Sequence, residues 1–334
     1  MIDLLPGLDG NRLRDASVLL AGAGNIGSFA ASLLARAGVR RIRLVDRDRV
    51  EEKNLATQDY RSEDVGRPKA EVLADRLRQQ FPGLTVEART ADLEDLPLGD
   101  FEVDVILGGL DSRQARQALV SECAWPLGVP VVDGGVGVGL KGRVQVFLPQ
   151  PGAACLECTW GAEDYRQAAV EYPCLPGAAA PPTLSPAFAG AVVAGIMTAE
   201  CVRLLTGSAS VESRELAFDL LHQHFLVSRL RRALRCRFDH EVVAERLSLD
   251  KDFPSASVGD LLAVAMRRFG PAPVHLECRR GLVGGEGFET NRLLFLDRLR
   301  SRAAEPLAAL GFLPGDRVRL RFTAGSVFVK LDGS

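Results

Sequence analysis

A glycine-rich turn between an apolar run and a helical pattern is the first feature that can do chemistry. Gly22, Gly24 and Gly27 follow the run Ser17–Ala21 with the spacing GxGxxG, and Asp46 ends the next apolar run. The first glycine permits a tight turn, the second lets a phosphate approach the backbone, and the third lets helix and strand pack closely. Free N–H groups at the helix start attract phosphate, and an acid placed like Asp46 meets a ribose hydroxyl. The turn predicts an adenine nucleotide, with NAD, FAD, S-adenosylmethionine and ATP all open.

A second candidate site contains Cys155 and Cys158, which form the sequence CLEC after a Pro-Gly turn. Two thiolates at this spacing fit one side of a tetrahedral zinc site, and a pair of reduced thiols that only pack is the alternative. The chain has seven cysteines, and this odd number argues against a disulfide framework. Burial is expected for Cys123, Cys201 and Cys278.

The elements that must position these residues alternate between strand and helix along the first part of the chain. Such alternation implies a parallel sheet covered by helices on both faces, so the expected fold class is α/β, with a Rossmann-like, twisted, mainly parallel sheet. Residues 139–147 predict an antiparallel extension, and residues 215–225 predict one more strand with His222 and His224 on one face. The other predicted strands are residues 17–21, 41–45, 84–88, 103–107 and 130–132, and the predicted helices are residues 28–37, 68–80, 113–124 and 186–205.

The composition changes near residue 248. Residues 248–257 have the composition of a linker, and the remainder predicts a small α+β domain that ends in a hairpin of the segments RVRLRF and SVFVKL. We therefore expect two domains. Residues 1–247 would contain the nucleotide site, and residues 258–334 would form a small domain for which partner docking is the expected role.

The global composition narrows the class of protein. The 334 residues carry a net charge of −2, with 25% charged residues, which gives no indication of a nucleic-acid partner. The first residues lack a basic segment followed by a long apolar run, so no signal peptide is predicted. The most apolar stretch, residues 187–199, is shorter than a bilayer span and predicts a buried helix. We expect a cytoplasmic protein without a membrane partner.

The chain after Asp46 resembles the ThiF/MoeB-type adenylyltransferases, which are relatives of the ubiquitin-activating enzymes. In that family the second strand leads into an Asp-x-Asp-x-Val segment, followed by Asn-Leu-x-Arg-Gln and Val-Gly-x-Pro-Lys. This sequence has the same order and spacing, and the resemblance extends from about Leu13 to His240 through the segment GGLDSRQ. The matching residues are Asp46, Asp48, Val50, Asn54, Leu55, Gln58, Val65, Gly66, Pro68, Lys69 and Asp111.

The resemblance implies a role for each polar residue of this segment. Asp46 would bind the ribose, Asn54 and Lys69 the triphosphate, and Asp111 a Mg²⁺ ion beside the phosphates. A lysine and Mg²⁺ stabilise the charge that develops on the α-phosphate and the pyrophosphate, so Lys69 and Asp111 are the expected catalytic residues. A solvated lysine and a helix N-cap are the alternatives for these two residues. The remaining candidates for nucleotide binding are Gly22, Gly24, Asn25, Gly27, Asp48 and Gln58.

The resemblance also indicates the remaining ligands of the metal site. The family pairs its first Cys-x-x-Cys with a second one downstream, and the counterpart in this chain is the segment RCRFDH. A structural Zn²⁺ would therefore have Asp239 or His240 as its fourth ligand. The expected ligand set is Cys155, Cys158, Cys236 and His240.

Cys174 lies in the segment that corresponds to the family's crossover loop. Some family members use a cysteine in this loop to accept the activated acyl group as a thioester or to relay sulfur, which requires a thiol with a lowered pKa. The resemblance therefore makes Cys174 a third candidate catalytic residue. An incidental loop cysteine is the alternative.

The function implied by the resemblance is ATP-dependent adenylation, by a homodimer, of the C-terminal carboxylate of a small ubiquitin-like or sulfur-carrier protein that ends in Gly-Gly. One position departs from the family, because Thr57 replaces the arginine that meets the phosphates, with Arg12 and Arg14 as candidate substitutes. Two other hypotheses stay open. One is a catalytically weakened relative that acts as a scaffold or as one half of a heterodimer, and the other is an NAD-dependent oxidoreductase.

Overall fold

The computed structural model describes residues 9–169, 185–207, 212–270, 275–277, 293–295, 301–322 and 325–331. The chain folds into two compact units. The first unit ends at Leu93, resumes at Val103 and ends at His240. The second unit contains Glu94–Glu102 and the chain from Glu241 onward. A short segment within the sequence of the first unit therefore belongs to the second.

An eight-stranded sheet forms the centre of the first unit. Its strands are β1 (Ser17–Ala21), β2 (Arg41–Val45), β3 (Thr85–Arg89), β4 (Val105–Gly108), β5 (Val131–Val136), β6 (Lys141–Phe147), β7 (Arg214–Asp219) and β8 (His224–Arg229). The spatial order is β3-β2-β1-β4-β5-β6-β7-β8, with β1 to β5 parallel and β6 to β8 added antiparallel. This confirms the predicted fold class. The chain adds β2 and β3 on one side of β1 and then crosses to the other side to add β4 and β5. At such a switch in strand order, the carboxyl ends of the strands form a crevice in which ligands bind.

One helix of this unit precedes β1 and the others lie in the connections between strands, and three of the connections contain 3₁₀ turns within the described residues. Along the chain the helices are α1 (Gly10–Asp15), α2 (Gly27–Ala37), α3 (Lys69–Gln80), α4 (Arg113–Gln117), α5 (Trp125–Leu127), α6 (Ala162–Ala169) and α7 (Ala187–Thr206). A π-helical stretch, Ala118–Ala124, joins α4 to α5. Gly38 and Gly207 end α2 and α7 in the left-handed conformation, as glycine does at helix ends.

Helix α7 is longer than the apolar stretch in the sequence suggests. It has 20 residues, because the helix continues through Glu200, whose buried carboxylate binds Arg203 at 3.4 Å and also Arg214. By length and composition alone the whole of α7, unlike residues 187–199, could cross a membrane, with a mean hydropathy of 1.6. The helix packs against α2 and the sheet, with Val193 and Met197 fully buried. Burial against the sheet agrees with the predicted core helix.

The predicted single strand over residues 215–225 was wrong, because the chain forms the hairpin of β7 and β8 instead. The Asp219 carboxylate accepts hydrogen bonds from the N–H groups of Leu221 at 3.0 Å and His222 at 3.1 Å, which turns the chain. Gln223 completes the turn with a positive φ of 56°. His222 therefore lies in the turn and His224 begins β8, so the two histidines do not share a strand face.

The second unit is a five-stranded sheet packed against one long helix, α8 (Val258–Phe269). Its strands are β9 (Glu245–Ser248), β10 (His275–Glu277), β11 (Leu293–Phe295), β12 (Asp316–Phe322) and β13 (Gly325–Leu331), in the order β11-β10-β12-β13-β9. Strands β12 and β13 form the predicted terminal hairpin. Residues 248–257, predicted as a linker, bury Phe253 and Ala256 in this core, and β9 pairs with β13. The chain thus enters the second unit before residue 248.

The contact of α7 with β5 depends on a glycine. A Cβ added to Gly134 would lie 2.7 Å from Val193 Cγ1 and 2.2 Å from Met197 Sδ. Gly134→Ala must push α7 away from the sheet, so we expect it to lower the free energy of unfolding by about 1–3 kcal/mol in chemical denaturation. Gly137→Ala is the matched control, because its nearest neighbour would be 3.7 Å away. Its effect should stay within about 0.5 kcal/mol; equal losses in both variants would contradict the packing.

Candidate nucleotide site and metal-binding cluster

Three glycines shape the turn between β1 and α2. Two of them make close backbone contacts, and the third has open space around it. A Cβ on Gly27 would lie 1.8 Å from the carbonyl oxygen of Gly22, so only glycine lets α2 start this close to β1. Gly22 has a φ of 92°, and a Cβ there would lie 2.7 Å from Gly109 O. A Cβ on Gly24 would have no heavy atom within 4 Å among the described residues. The backbone is therefore accessible at the position where the sequence predicts a phosphate.

The peptide groups on either side of Ala23 are fixed by side chains. The Ala23 N–H donates to Asp46 Oδ2 at 2.6 Å, and the Ala23 carbonyl accepts from the Tyr60 hydroxyl at 2.7 Å. Asp46 Oδ1 also accepts from the Asp48 N–H at 2.7 Å. Burial raises the pKa of Asp46, and these two amide hydrogen bonds act against that rise. Asp46 thus stabilises the turn through both of its carboxylate oxygens.

Tyr60 is a functional candidate that the sequence reasoning missed. It is buried, and burial together with the Asp46 carboxylate raises the pKa of its hydroxyl, which therefore remains a hydrogen-bond donor at neutral pH. The guanidinium of Arg76 lies 5.8 Å from the centroid of its ring. No motif in the sequence indicates this role, because the contact to Ala23 joins residues 37 positions apart.

Lys69 is the first residue of α3, and only 5% of it is exposed. Its Nζ lies 3.0 Å from Asp48 Oδ2, and its backbone N–H donates to the Asp48 carbonyl at 2.9 Å. The alternative of a solvated lysine is therefore wrong. Asp48 follows β2 and Lys69 begins α3, so the ion pair brings both residues close to Asp46, with which both interact electrostatically.

Asn54 and Gln58 lie on and just after the 3₁₀ turn Glu52–Ala56. Asn54 is buried, and its Oδ1 accepts from the Glu51 N–H at 2.9 Å, which closes the turn. The N–H groups of Thr57 and Gln58 donate to the Asn54 carbonyl at 3.1 Å and 2.8 Å. Gln58 Oε1 is buried and accepts no hydrogen bond in the described part of the chain. The side chain of Gln58 thus has a free hydrogen-bond acceptor just after the 3₁₀ turn.

Asp111 lies exposed in the loop after β4. The N-cap of α4 is Ser112, whose Oγ accepts from the Ala115 N–H at 3.0 Å. The alternative of Asp111 as the helix N-cap is therefore wrong. Its carboxylate forms no ion pair or hydrogen bond with the residues that the structure describes. An exposed carboxylate without a protein partner agrees with a ligand to a bound cation, such as the predicted Mg²⁺.

A buried ion pair between Arg116 and Asp133 stabilises the loop that contains Asp111. Arg116 donates from Nε to the Leu110 carbonyl at 2.8 Å, from Nη1 to Asp133 Oδ2 at 2.7 Å and from Nη2 to the Gly134 carbonyl at 3.0 Å. Asp133 is fully buried, and burial raises its pKa while Arg116 lowers it. No sequence motif indicates Arg116 as a functional residue. Its guanidinium fixes the backbone one residue before Asp111.

Other candidate residues lie away from the predicted phosphates or outside the described chain. Arg12 donates to the Thr206 carbonyl at 3.4 Å at the end of α7, and Arg14 pairs with Asn11. Both belong to α1, which precedes the amino end of β1, whereas the glycine turn follows its carboxyl end. Neither arginine therefore replaces the family arginine at Thr57 within the same chain. Cys174 lies outside the described residues.

The four predicted metal ligands come together. Their ligand atoms all lie within 4.8 Å of one another. Cys155 Sγ lies 3.8 Å from Cys158 Sγ and 3.7 Å from Cys236 Sγ, and His240 Nε2 lies 3.3 Å and 3.5 Å from the sulfurs of Cys155 and Cys158. A tetrahedral ion with bonds of about 2.3 Å to sulfur spaces such atoms about 3.5–3.8 Å apart. His240 supplies the fourth ligand atom, and the exposed Asp239 does not belong to the group.

The pKa shifts of the cluster favour a thiolate at Cys158 and a neutral imidazole at His240, while burial raises the pKa of Cys236. The hydrogen bond between the paired thiols raises the pKa of Cys155 and lowers the pKa of Cys158 to about 5. Burial lowers the pKa of His240, which favours the neutral imidazole. The Trp125 ring packs edge-on against the His240 ring, with 5.2 Å between centroids. A thiolate and a neutral imidazole are the forms that bind metal ions.

Comparison with known families decides the class of protein. A sequence profile of the ThiF family matches residues 2–238. The chain belongs to the ThiF family. Among its relatives, the sulfur carrier protein ThiS adenylyltransferase of Escherichia coli (strain K12) is 30% identical over 69% of this chain and 88% of that protein. The NEDD8-activating enzyme E1 catalytic subunit of Arabidopsis thaliana is 34% identical over 46% of this chain.

The ThiF-family chain matches only part of the longer relatives. It spans 37% of the Arabidopsis subunit and 51% of the NEDD8-activating enzyme E1 catalytic subunit of Saccharomyces cerevisiae. Among solved structures, E. coli MccB with ATP superposes with a TM-score of 0.56 and 19% identity, over 69% of this chain and 68% of that one. SeMet PaaA gives a TM-score of 0.54 and 20% identity, over 67% of each chain. At this identity the superpositions establish the common fold.

The two glycines of the ThiF-family turn should separate nucleotide binding from folding. Gly24→Ala adds a methyl group where the protein leaves space, so we expect unchanged thermal unfolding and ATP binding weakened by at least about tenfold, or ~1.4 kcal/mol. Gly27→Ala collides with the backbone and should lower the free energy of unfolding by at least ~2 kcal/mol. Calorimetric titration and chemical denaturation measure the two effects. Unchanged ATP affinity in Gly24→Ala would place the phosphates elsewhere.

Proposed function

We propose that this chain is an ATP-dependent adenylyltransferase that activates the C-terminal carboxylate of a small ubiquitin-like or sulfur-carrier protein. The observation that carries the proposal is the buried Lys69, paired with Asp48 beside the glycine turn that Asp46 fixes. A nicotinamide enzyme has no need of a buried lysine near the phosphates, whereas transfer at the α-phosphate does. The similarity to the E. coli ThiS adenylyltransferase over 88% of its length supports the same class.

The reaction forms one bond and breaks one at the α-phosphorus of ATP. A carboxylate oxygen of the carrier attacks this phosphorus, the bond to the β-phosphate breaks, and pyrophosphate leaves with the electron pair. Lys69 and the N–H groups at the start of α2 stabilise the negative charge that develops on the phosphate oxygens. Asp46 orients the ribose, and Asp111 would bind Mg²⁺, which neutralises the leaving pyrophosphate.

The cluster of Cys155, Cys158, Cys236 and His240 has the donor set and the spacing for a structural Zn²⁺. Its ligands come from the segment after β6 and from the last residues of the first unit, which are far apart in sequence. A bound ion would therefore join these two segments. We include Zn²⁺ in the proposal as a stabilising ion.

A second candidate function rests on Thr57. Thr57 occupies the position of the arginine that meets the phosphates in the family, and α1 does not supply a replacement arginine within the chain. A relative that binds ATP but does not activate a carrier would pair with a second subunit. Among the relatives, the NEDD8-activating enzymes bear the designation of catalytic subunits, which supports a heterodimer as readily as the homodimer of the original expectation.

Pyrophosphate exchange into ATP tests the leading proposal. With a carrier protein that ends in Gly-Gly, the wild-type chain should catalyse exchange that depends on Mg²⁺ and on that carrier. Lys69→Met should reduce the exchange rate by about 10²- to 10³-fold, because a buried charge that stabilises the transition state is lost.

Arg36→Met is the matched control for this experiment. Arg36 is an exposed cation in the last turn of α2, away from the glycine turn, and its loss should change the rate by no more than about twofold. ATP binding without exchange, with every carrier offered, would favour the second candidate. NAD binding without ATP binding would contradict both candidates.

The metal content of the purified protein tests the cluster. We expect about one zinc per chain, as a closed site with four protein ligands implies. His240→Ala should lose the zinc and unfold at a lower temperature, because the ion no longer joins the segment of Cys155 and Cys158 to that of Cys236. His222→Ala is the control, since His222 lies exposed in the turn before β8 and should leave both zinc and melting temperature unchanged. Full zinc occupancy in His240→Ala would contradict the ligand set.

A further inference from the structure

The side chain of Asn25 extends from the glycine turn to the start of α7. Its Nδ2 donates to the Ser185 carbonyl at 2.8 Å and to the Pro186 carbonyl at 3.4 Å. Pro186 is the N-cap of α7, and its carbonyl also accepts the N–H of Ala189 at 3.0 Å. The amide of Asn25 thus binds the two carbonyls that set the direction in which α7 begins.

The side-chain oxygen of Asn25 packs against Gly190 of α7. A Cβ on Gly190 would lie 1.9 Å from Asn25 Oδ1 and 2.8 Å from the Asn25 carbonyl oxygen. Oδ1 is buried and accepts no hydrogen bond in the described parts of the chain. An unpaired buried acceptor opposes stability, so the contact is poorly suited to be only a stabilising one. It fits a role in which position matters more than stability.

Asn25 is also part of the backbone that a phosphate would contact. It lies between Gly24, where the turn is open, and Ile26, the N-cap of α2. The N–H groups at this helix start are the donors that bind phosphate oxygens. Any shift of this backbone on nucleotide binding passes directly to Ser185 and Pro186 through one short side chain.

We propose that Asn25 is a positioning residue that links the glycine turn to α7, so that a nucleotide bound on the turn fixes the first turn of that helix. The contact continues through Val193 and Met197, which pack on Gly134 of β5. The proposal rests on the proposed nucleotide site and deepens it, because it assigns to this site an effect on the start of α7.

Hydrogen exchange of the full chain, with and without MgATP, tests the link. In the wild type, ATP should slow amide exchange several-fold in peptides that cover residues 187–195. At an ATP concentration that saturates each variant, Asn25→Ala should lose the slowing in α7. Gly190→Ala, which pushes the Asn25 amide away from the other side, should lose the slowing as well.

Thr198→Val is the matched control within α7. It removes the hydrogen bond from the Thr198 hydroxyl to the Ala194 carbonyl without touching the glycine turn, so the slowing should persist. A purely structural role for Asn25 predicts faster exchange in α7 without ATP but an undiminished response to ATP. Retention of the full response in Asn25→Ala would overturn the inference, as would a wild type that binds ATP without any response in α7. A wild type that binds no ATP would overturn the proposed function together with this inference.

Discussion

The backbone at Ala23 is the constraint on which the candidate site depends. Its N–H is bound by Asp46 and its carbonyl by Tyr60, while Gly27 lets the helix begin against the carbonyl of Gly22. These contacts come from three different segments of the chain. Together they hold the turn at the carboxyl end of β1, and in the proposed function the N–H groups at the start of α2 bind the triphosphate there.

The charges around this turn explain why ATP chemistry needs cations from several sources. Asp46, Asp48 and Asp111 are acidic, and Lys69 is partly neutralised by its ion pair with Asp48. In the proposed function a triphosphate would therefore enter a region with little excess positive charge, and the α2 amino end and a metal ion would have to contribute. The absence of an arginine at position 57 makes this requirement more severe. Rates in this chain should depend strongly on the divalent cation.

The sequence was sufficient for the features that arise from local patterns. The glycine spacing and the alternation of strands and helices predicted the turn and the sheet, because each depends on neighbours or on a known spacing; the paired cysteines predicted half of the metal cluster, and the family resemblance supplied Cys236 and His240. The fold of β7 and β8 was missed, since a single carboxylate at Asp219 reverses an otherwise strand-like run. Tyr60, Arg116 and the contact of Asn25 with α7 were also beyond prediction. Each joins segments that only the tertiary fold brings together, and no residue type in the sequence marks the partner.

The identity of the products of ATP turnover tests the central claim most directly. With a Gly-Gly carrier and MgATP, phosphorus NMR should show pyrophosphate and the carrier's acyl-adenylate, one of each for every free carboxylate consumed, because the bond between the α- and β-phosphates breaks; AMP should follow only when the adenylate is hydrolysed. Formation of ADP and inorganic phosphate would mean that the γ-phosphate is transferred instead. That result would contradict the account of Lys69, Asp46 and the glycine turn as a site for adenylation.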